Sequence, residues 1–198
     1  MVFLREDGTS YARSGMSAVT ATDTSLLVFR LGLSIVFLAH GYNHIFGGGK
    51  IAGTARWFEG LGMRPGVLHA WTASITELGA GILLALGLAI PVACAGVIGT
   101  MLVAWITNHL RNGFFIFRPG EGFEYVMMLI FAAIGLAGTG PGQWSVDSAL
   151  GWFDPPGWLG LGFALIAGVG GAVVLLAVFW RPARKPVPAA TVDLDATN

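Results

Sequence analysis

The chain has 198 residues, 55% of them hydrophobic and only 11% charged, with a mean hydropathy of +0.71. A soluble domain carries about a quarter charged residues, so the composition excludes that class and points to an integral membrane protein. Eleven basic residues balance eleven acidic ones and no basic tract is present, which excludes nucleic acid as a partner. Cys94 is the single cysteine and lies in an apolar run, so an intramolecular disulfide, a C-x-x-C shuttle and a Cys-rich metal site within this chain are all excluded. Any thiol chemistry must come from a substrate or a partner.

Residues 1–24 are polar and hold Arg5, Glu6, Asp7 and Arg13. No apolar stretch precedes Ser25, so they read as a polar, disordered tail and not as a signal peptide, and Met16 offers a second plausible start. A first membrane span is expected over residues 25–46, closed by Gly47, Gly48 and Gly49. Ile51, Ala55, Phe58 and Leu61 then recur at helical spacing, which predicts a short helix in the membrane interface. The second span is expected at 68–88, and Ala89, Ile90 and Pro91 turn the chain into a third at 92–110. A short fourth span covers 123–138, and the Pro- and Gly-rich stretch after it excludes a continuous helix. A fifth, at 158–180, is framed by Trp152, Trp158 and Trp180 as an aromatic belt would be, and residues 182–198 form a polar tail. The expected fold is an all-α membrane bundle, a four-helix core over 25–150 with an additional transmembrane helix within 151–181.

Small residues recur at helix-contact spacing: Gly160, Ala164, Gly168 and Ala172 in the fifth span, and Ala73, Gly81 and Ala85 beside Glu77 in the second. In lipid such stripes let backbones approach closely. The fifth-span stripe is expected to pack on the chain's own core, on a second copy (a homo-oligomer) or on another subunit. Two faces follow from five spans. Side A holds the N-terminus and, of the cations, only Arg5 and Arg13. Side B holds Lys50, Arg56, Arg64, Arg111, Arg118, Arg181, Arg184 and Lys185, which places it in the cytoplasm.

Ionisable groups in hydrocarbon cost at least a few kcal/mol each and mark function by default. His40, Asn43, His44, Asn108, His109, Glu121 and Glu124 all fall within about two turns of side B. Glu77 lies roughly 14 Å deep from that side and forms the floor of any cavity there. His40 and His44, four apart on one helical face, suit a metal ion shared with Glu77, a haem edge or a quinone carbonyl. Arg30 sits about 40° around the helix from His44 and faces inward nearer side A. His69 reads as an interfacial or capping residue, and Tyr125, Trp57 and Trp105 as packing residues.

The runs FRLGLSIVFLAHGYNHIFGG, WFEGLGM, TELGAGILLALGL, NHLRNGFF and GEGFEYVMMLIFAAIGLAGTGPGQWSVD resemble the DoxX family of small bacterial four-helix membrane proteins. The resemblance covers residues 26–150 and rests on Arg30, His40-Gly41, Glu77-Leu78, Asn112-Gly113, Glu124-Tyr125 and Gly140-Pro141-Gly142. His44 stands where the family often has Lys, and the fifth span is an addition. The family takes its name from similarity to a subunit of a thiosulfate:quinone oxidoreductase, and actinobacterial members are linked to detoxification of thiol and superoxide stress. The resemblance thus implies a multi-pass protein of the bacterial inner membrane, in a membrane oxidoreductase assembly with membrane or soluble partner subunits. Three functions follow: a redox subunit with a quinone, metal or haem at His40, His44 and Glu77; a scaffold or accessory subunit; and a small proton-coupled transporter along Arg30 and the side B cluster.

Overall fold

The computed structural model describes residues 11–152 and 157–182. α1 (Tyr11–Phe46), α3 (Gly66–Leu86), α4 (Ile90–Ala104) and α7 (Trp158–Phe179) form the body of a bundle. α2 (Lys50–Gly60), α5 (Glu124–Thr139) and the single turn α6 (Val146–Ala149) complete it. Among the described residues, four segments are long and apolar enough to cross a membrane: Ala21–Phe46, Gly66–Leu86, Ile90–Asn112 and Trp158–Phe179. α5 has 16 residues, about 24 Å of rise, and is shorter than those spans. The outward faces are apolar, with Ile35, Ile75 and Ile166 exposed at 67, 64 and 78%. Such a surface requires a bilayer.

One boundary differs clearly from the sequence expectation. α1 is already helical at Tyr11, inside the expected polar tail, because extending a nucleated helix costs far less than starting one. Residues 1–10 and 183–198, where the remaining tail expectations fall, lie outside the described residues, as do 153–156 in the connector.

α1 and α3 meet through glycines. A Cβ at Gly41 would come within 2.8 Å of Leu78, and one at Gly81 within 2.7 Å of Leu38, so only glycine permits this spacing. Ser34 Oγ donates to Gly81 O at 2.7 Å across the same seam. The fifth-span stripe packs on the chain's own core: Ala164, Gly168 and Ala172 are buried, and a Cβ at Gly168 would lie 2.9 Å from both Ala95 O and Ile98 Cβ. The far end of α7 is clamped to the α2–α3 turn, where Trp180 Nε1 donates to Leu61 O and the Arg181 N–H to Gly62 O.

A polar plug seals side A. The Arg30 guanidinium is fully buried and donates to Leu84 O at 3.2 Å and Trp144 O at 2.5 Å. Leu84 is near the end of α3, where backbone carbonyls lack helical partners and a cation is favoured. The Asp147 carboxylate accepts the N–H groups of Ala89 and Ile90 and so caps α4 from the distant turn α6. Asp23 accepts the Gln143 N–H at 3.0 Å, tying that loop to α1. Gly87 makes room for Arg30: its φ is +64°, and a Cβ there would fall within the guanidinium. Gly87→Ala is expected to destabilise the protein by roughly 2–4 kcal/mol through overpacking and a left-handed backbone. Thermal unfolding in detergent checks this, and an unchanged midpoint would refute it.

Candidate functional site

A cavity of about 740 Å³ runs along the bundle between α3 and α7, with α4 as its floor. The floor is Ala95, Gly96, Gly99 and Thr100, the small residues that bring the helices together. Their lack of bulk hollows out the groove. Near side B, Ala73 of α3 and Leu175 and Leu176 of α7 pack against a buried cluster of Ala55, Phe58, Met63 and Ala70. Farther toward side A the walls include Val92 and Phe163, both at least 49% exposed, so this part opens sideways toward lipid.

The B end is polar. His40 and His44 of α1, Glu77 of α3, and Asn108 and His109 at the end of the α4 span all line the cavity. Glu77 is only 4% exposed, and its Oε2 lies 3.2 Å from His44 Nε2. That approach falls outside hydrogen-bond geometry, leaving Oε2 a buried acceptor without a hydrogen-bond donor. Such an atom is costly in a low-dielectric interior unless something else reaches it.

Three local features aim these groups. His40 and His44 share a face of α1 by their i,i+4 spacing, and Thr54 Oγ1 donates to His44 O, holding α2 against the end of α1. His40 Nδ1 lies 2.9 Å from Val36 O; a carbonyl only accepts, so Nδ1 carries the hydrogen and Nε2 of the neutral ring is an open acceptor. Beyond Ala104 the helix widens into a π-helical turn, Trp105–His109, and then narrows to a 3₁₀ turn, Leu110–Asn112. Such π-turns concentrate at functional sites, and this one presents Asn108 and His109 to the cavity.

The remaining expected site residues do other things. Arg30 is in the plug at side A, away from the cavity, where Leu84 O of α3 and Trp144 O accept from its two terminal nitrogens. Asn43 and Glu124 are also not among the lining residues. Glu124 Oε1 accepts the Ile116 N–H at 2.8 Å, and Asn112 Nδ2 donates to Gly120 O and Glu121 O. With His109 Nδ1 donating to Glu121 O, these groups pin the aromatic loop 113–123 beside the cavity mouth. The metal set His40, His44 and Glu77 is not assembled: no group of three His, Cys, Asp or Glu among the described residues is placed to hold a metal ion. His44 turns to Glu77 while the adjoining turn ties His40 to its own backbone, so the imidazoles do not converge.

Sequence reasoning missed His69 and Tyr125. His69 is 3% exposed and lines the cavity, flanked by Phe58 and Phe179 at ring separations of 6.1 and 5.1 Å. It is no interfacial cap, because α2 folds back over the start of α3. Tyr125 follows Glu124 on α5, so the helical turn that sends Glu124 to the loop sends Tyr125 to the cavity.

The sequence profile of the DoxX family matches residues 25–110, from α1 through the π-helical turn. Over those residues the chain is similar to the DoxX family. The match holds both histidines of α1, Glu77, Asn108 and His109, whereas the Glu124 and Gly140–Gly142 motifs and α7 fall beyond it. No curated protein and no solved structure matches the chain.

Proposed function

We propose that this DoxX-like protein binds a quinone in the groove, as a redox-linked subunit of an oxidoreductase assembly of a bacterial inner membrane that handles sulfur compounds or oxidative stress. The observation that carries the reading is the polarity of one continuous cavity. An apolar, laterally open trough ends on an unsatisfied carboxylate oxygen and imidazoles. A lipid-soluble molecule with a long apolar tail matches the trough, and the head hydroxyl of its reduced, quinol form supplies the donor that the carboxylate oxygen lacks. A quinone supplies the electron chemistry that a chain with one buried cysteine lacks. The protein's part is to hold the head. Glu77 and His44 reach one head oxygen and exchange a proton there, Asn108 adds an amide donor, and the small-residue floor excludes water from the tail. The plug at side A supports entry from lipid or from side B over a path through the membrane, which argues against the transporter.

The competing reading is an accessory subunit without a ligand, favoured by the many polar groups, Arg30, Asp147, His109 and Glu124 among them, that serve intrachain ties. One experiment separates the two. Purified protein titrated with decylubiquinone is expected to show saturable quenching of tryptophan fluorescence, since Trp57 lines the cavity, and solvent extracts are expected to contain a stoichiometric quinone. Absence of both leaves the accessory role.

A further inference from the structure

The segment joining the α4 span to α5 displays four apolar residues in a row, Phe114, Phe115, Ile116 and Phe117, all exposed and Phe117 the most so at 79%. Single apolar side chains on a surface are ordinary, but a contiguous aromatic patch marks a contact. This patch is held in one shape. Phe114 meets Phe123 edge-on, and the rings of Phe115 and Phe117 stack at 5.1 Å and 18°. The N–H groups of Arg118, Glu121, Gly122, Phe123 and Glu124 all donate to carbonyls within the segment, and the Ile116 N–H donates to Glu124 Oε1. Water would satisfy these groups without such an arrangement, whereas a low-dielectric surrounding demands it.

Contacts with the α4 span fix the depth of the segment. The span ends at Asn112, yet the Phe123 ring stacks on Trp105 at 5.1 Å and His109 Nδ1 donates to Glu121 O. Between leaving the span and entering α5 the chain therefore runs back along the span's last two turns, about 10 Å. α5 is short by a similar amount, with about 24 Å of rise against a hydrocarbon core of about 30 Å. The segment makes up the difference on side B, where aromatic side chains favour the boundary between acyl chains and headgroups. Arg111 and Arg118 flank the patch and are exposed. Of the neighbouring acids, Glu124 is turned inward to the Ile116 N–H and Glu121 lines the groove.

We propose that segment 113–123 is a rigid anchor in the side B leaflet, with Phe115 and Phe117 in the headgroup–acyl boundary and Arg111 and Arg118 bound to the phosphates of anionic lipids. A soluble partner would meet the patch above the membrane, whereas the contacts with Trp105 and His109 hold it level with the span. The anchor does not depend on what occupies the groove.

A nitroxide at residue 117 tests the seat. The full-length Phe117→Cys protein is labelled and reconstituted in vesicles of phosphatidylcholine and phosphatidylglycerol; Cys94 is fully buried and does not compete for the label. The nitroxide is expected to be relaxed by oxygen and shielded from an aqueous nickel chelate, at or below the depth of the phosphates. Ready access of the chelate would overturn the anchor and leave the patch to a soluble partner. Shielding from both relaxers would overturn it in favour of a contact between copies of this chain. Headgroup binding is read separately, by native mass spectrometry from a detergent containing both lipids. The wild type is expected to retain phosphatidylglycerol over phosphatidylcholine, and Arg111→Gln with Arg118→Gln to reduce that preference by roughly fivefold per arginine. Arg118→Lys keeps the charge and is expected to stay within about twofold of wild type. An unchanged preference in the double variant, at a wild-type thermal midpoint, would overturn the role of the arginines.

Discussion

Glu77→Ala is expected to weaken decylubiquinone binding by roughly 10- to 100-fold, the loss of one hydrogen bond to an ionisable group worth about 1.5–3 kcal/mol. The same substitution is expected to leave insertion, monodispersity and thermal midpoint equal to or above the wild type. A carboxylate at 4% exposure inside a span costs several kcal/mol to bury, and alanine removes that cost. The two readouts therefore move in opposite directions for a ligand-binding Glu77. For a structural Glu77, whose contact with His44 holds α3 to α1, both would fall together. Glu77→Gln refines the comparison: the amide still reaches a head oxygen but exchanges no proton, so binding is expected to stay within a few-fold of wild type. A Glu77→Ala protein that binds decylubiquinone as the wild type does would dismiss the carboxylate from the site.

Gly168→Leu is expected to force α7 away from α4. A single Cβ at this position already lies 2.9 Å from a backbone oxygen and from the branched Cβ of Ile98, neither of which can swing aside. Leucine adds three further carbons. Association in lipid gains little from the hydrophobic effect, so a lost fit is not offset by sequestering apolar surface. A cost of 3 kcal/mol or more is expected, on the order of a 10 °C fall in thermal midpoint for a chain of this length. Because α7 also forms one wall of the groove, decylubiquinone binding is expected to be lost with it. Gly170→Leu, on the same helix with open space around its Cβ, is the control and should behave as wild type. Equal stability of the two variants would show that the α4–α7 contact is not set by the size of residue 168.

The all-helical membrane class, the approximate limits of the four longest apolar helices, and the existence of buried ionisable groups were legible in the residues, whereas the expected fourth span is a helix of only 16 residues. A 20-residue apolar run has few alternatives to a membrane helix, and its ends are marked by local signals such as Gly47–Gly49 and Pro91. The roles of Arg30, Glu124 and His109 were not legible. Each stands in a motif shared with functional candidates, yet each is satisfied by backbone atoms 8 to 114 positions away, Trp144 O for Arg30 and the Ile116 N–H for Glu124. Backbone hydrogen bonds of that kind leave no trace in residue type, because every residue carries the same carbonyl.

What the sequence determined by itself is an all-helical membrane protein with a deep carboxylate at Glu77 and two imidazoles one turn apart at His40 and His44, since composition and the 3.6-residue period act locally. Only the tertiary structure decided which of the polar residues face a common space. That depended on glycine-mediated approach of α1 to α3 and of α7 to α4, on α2 folding back over His69, and on a π-helical turn that rotates Asn108 and His109 by a fraction of a helical repeat. A groove is the space that side chains from several helices fail to fill, so it belongs to no single segment and appears only when the helices are packed.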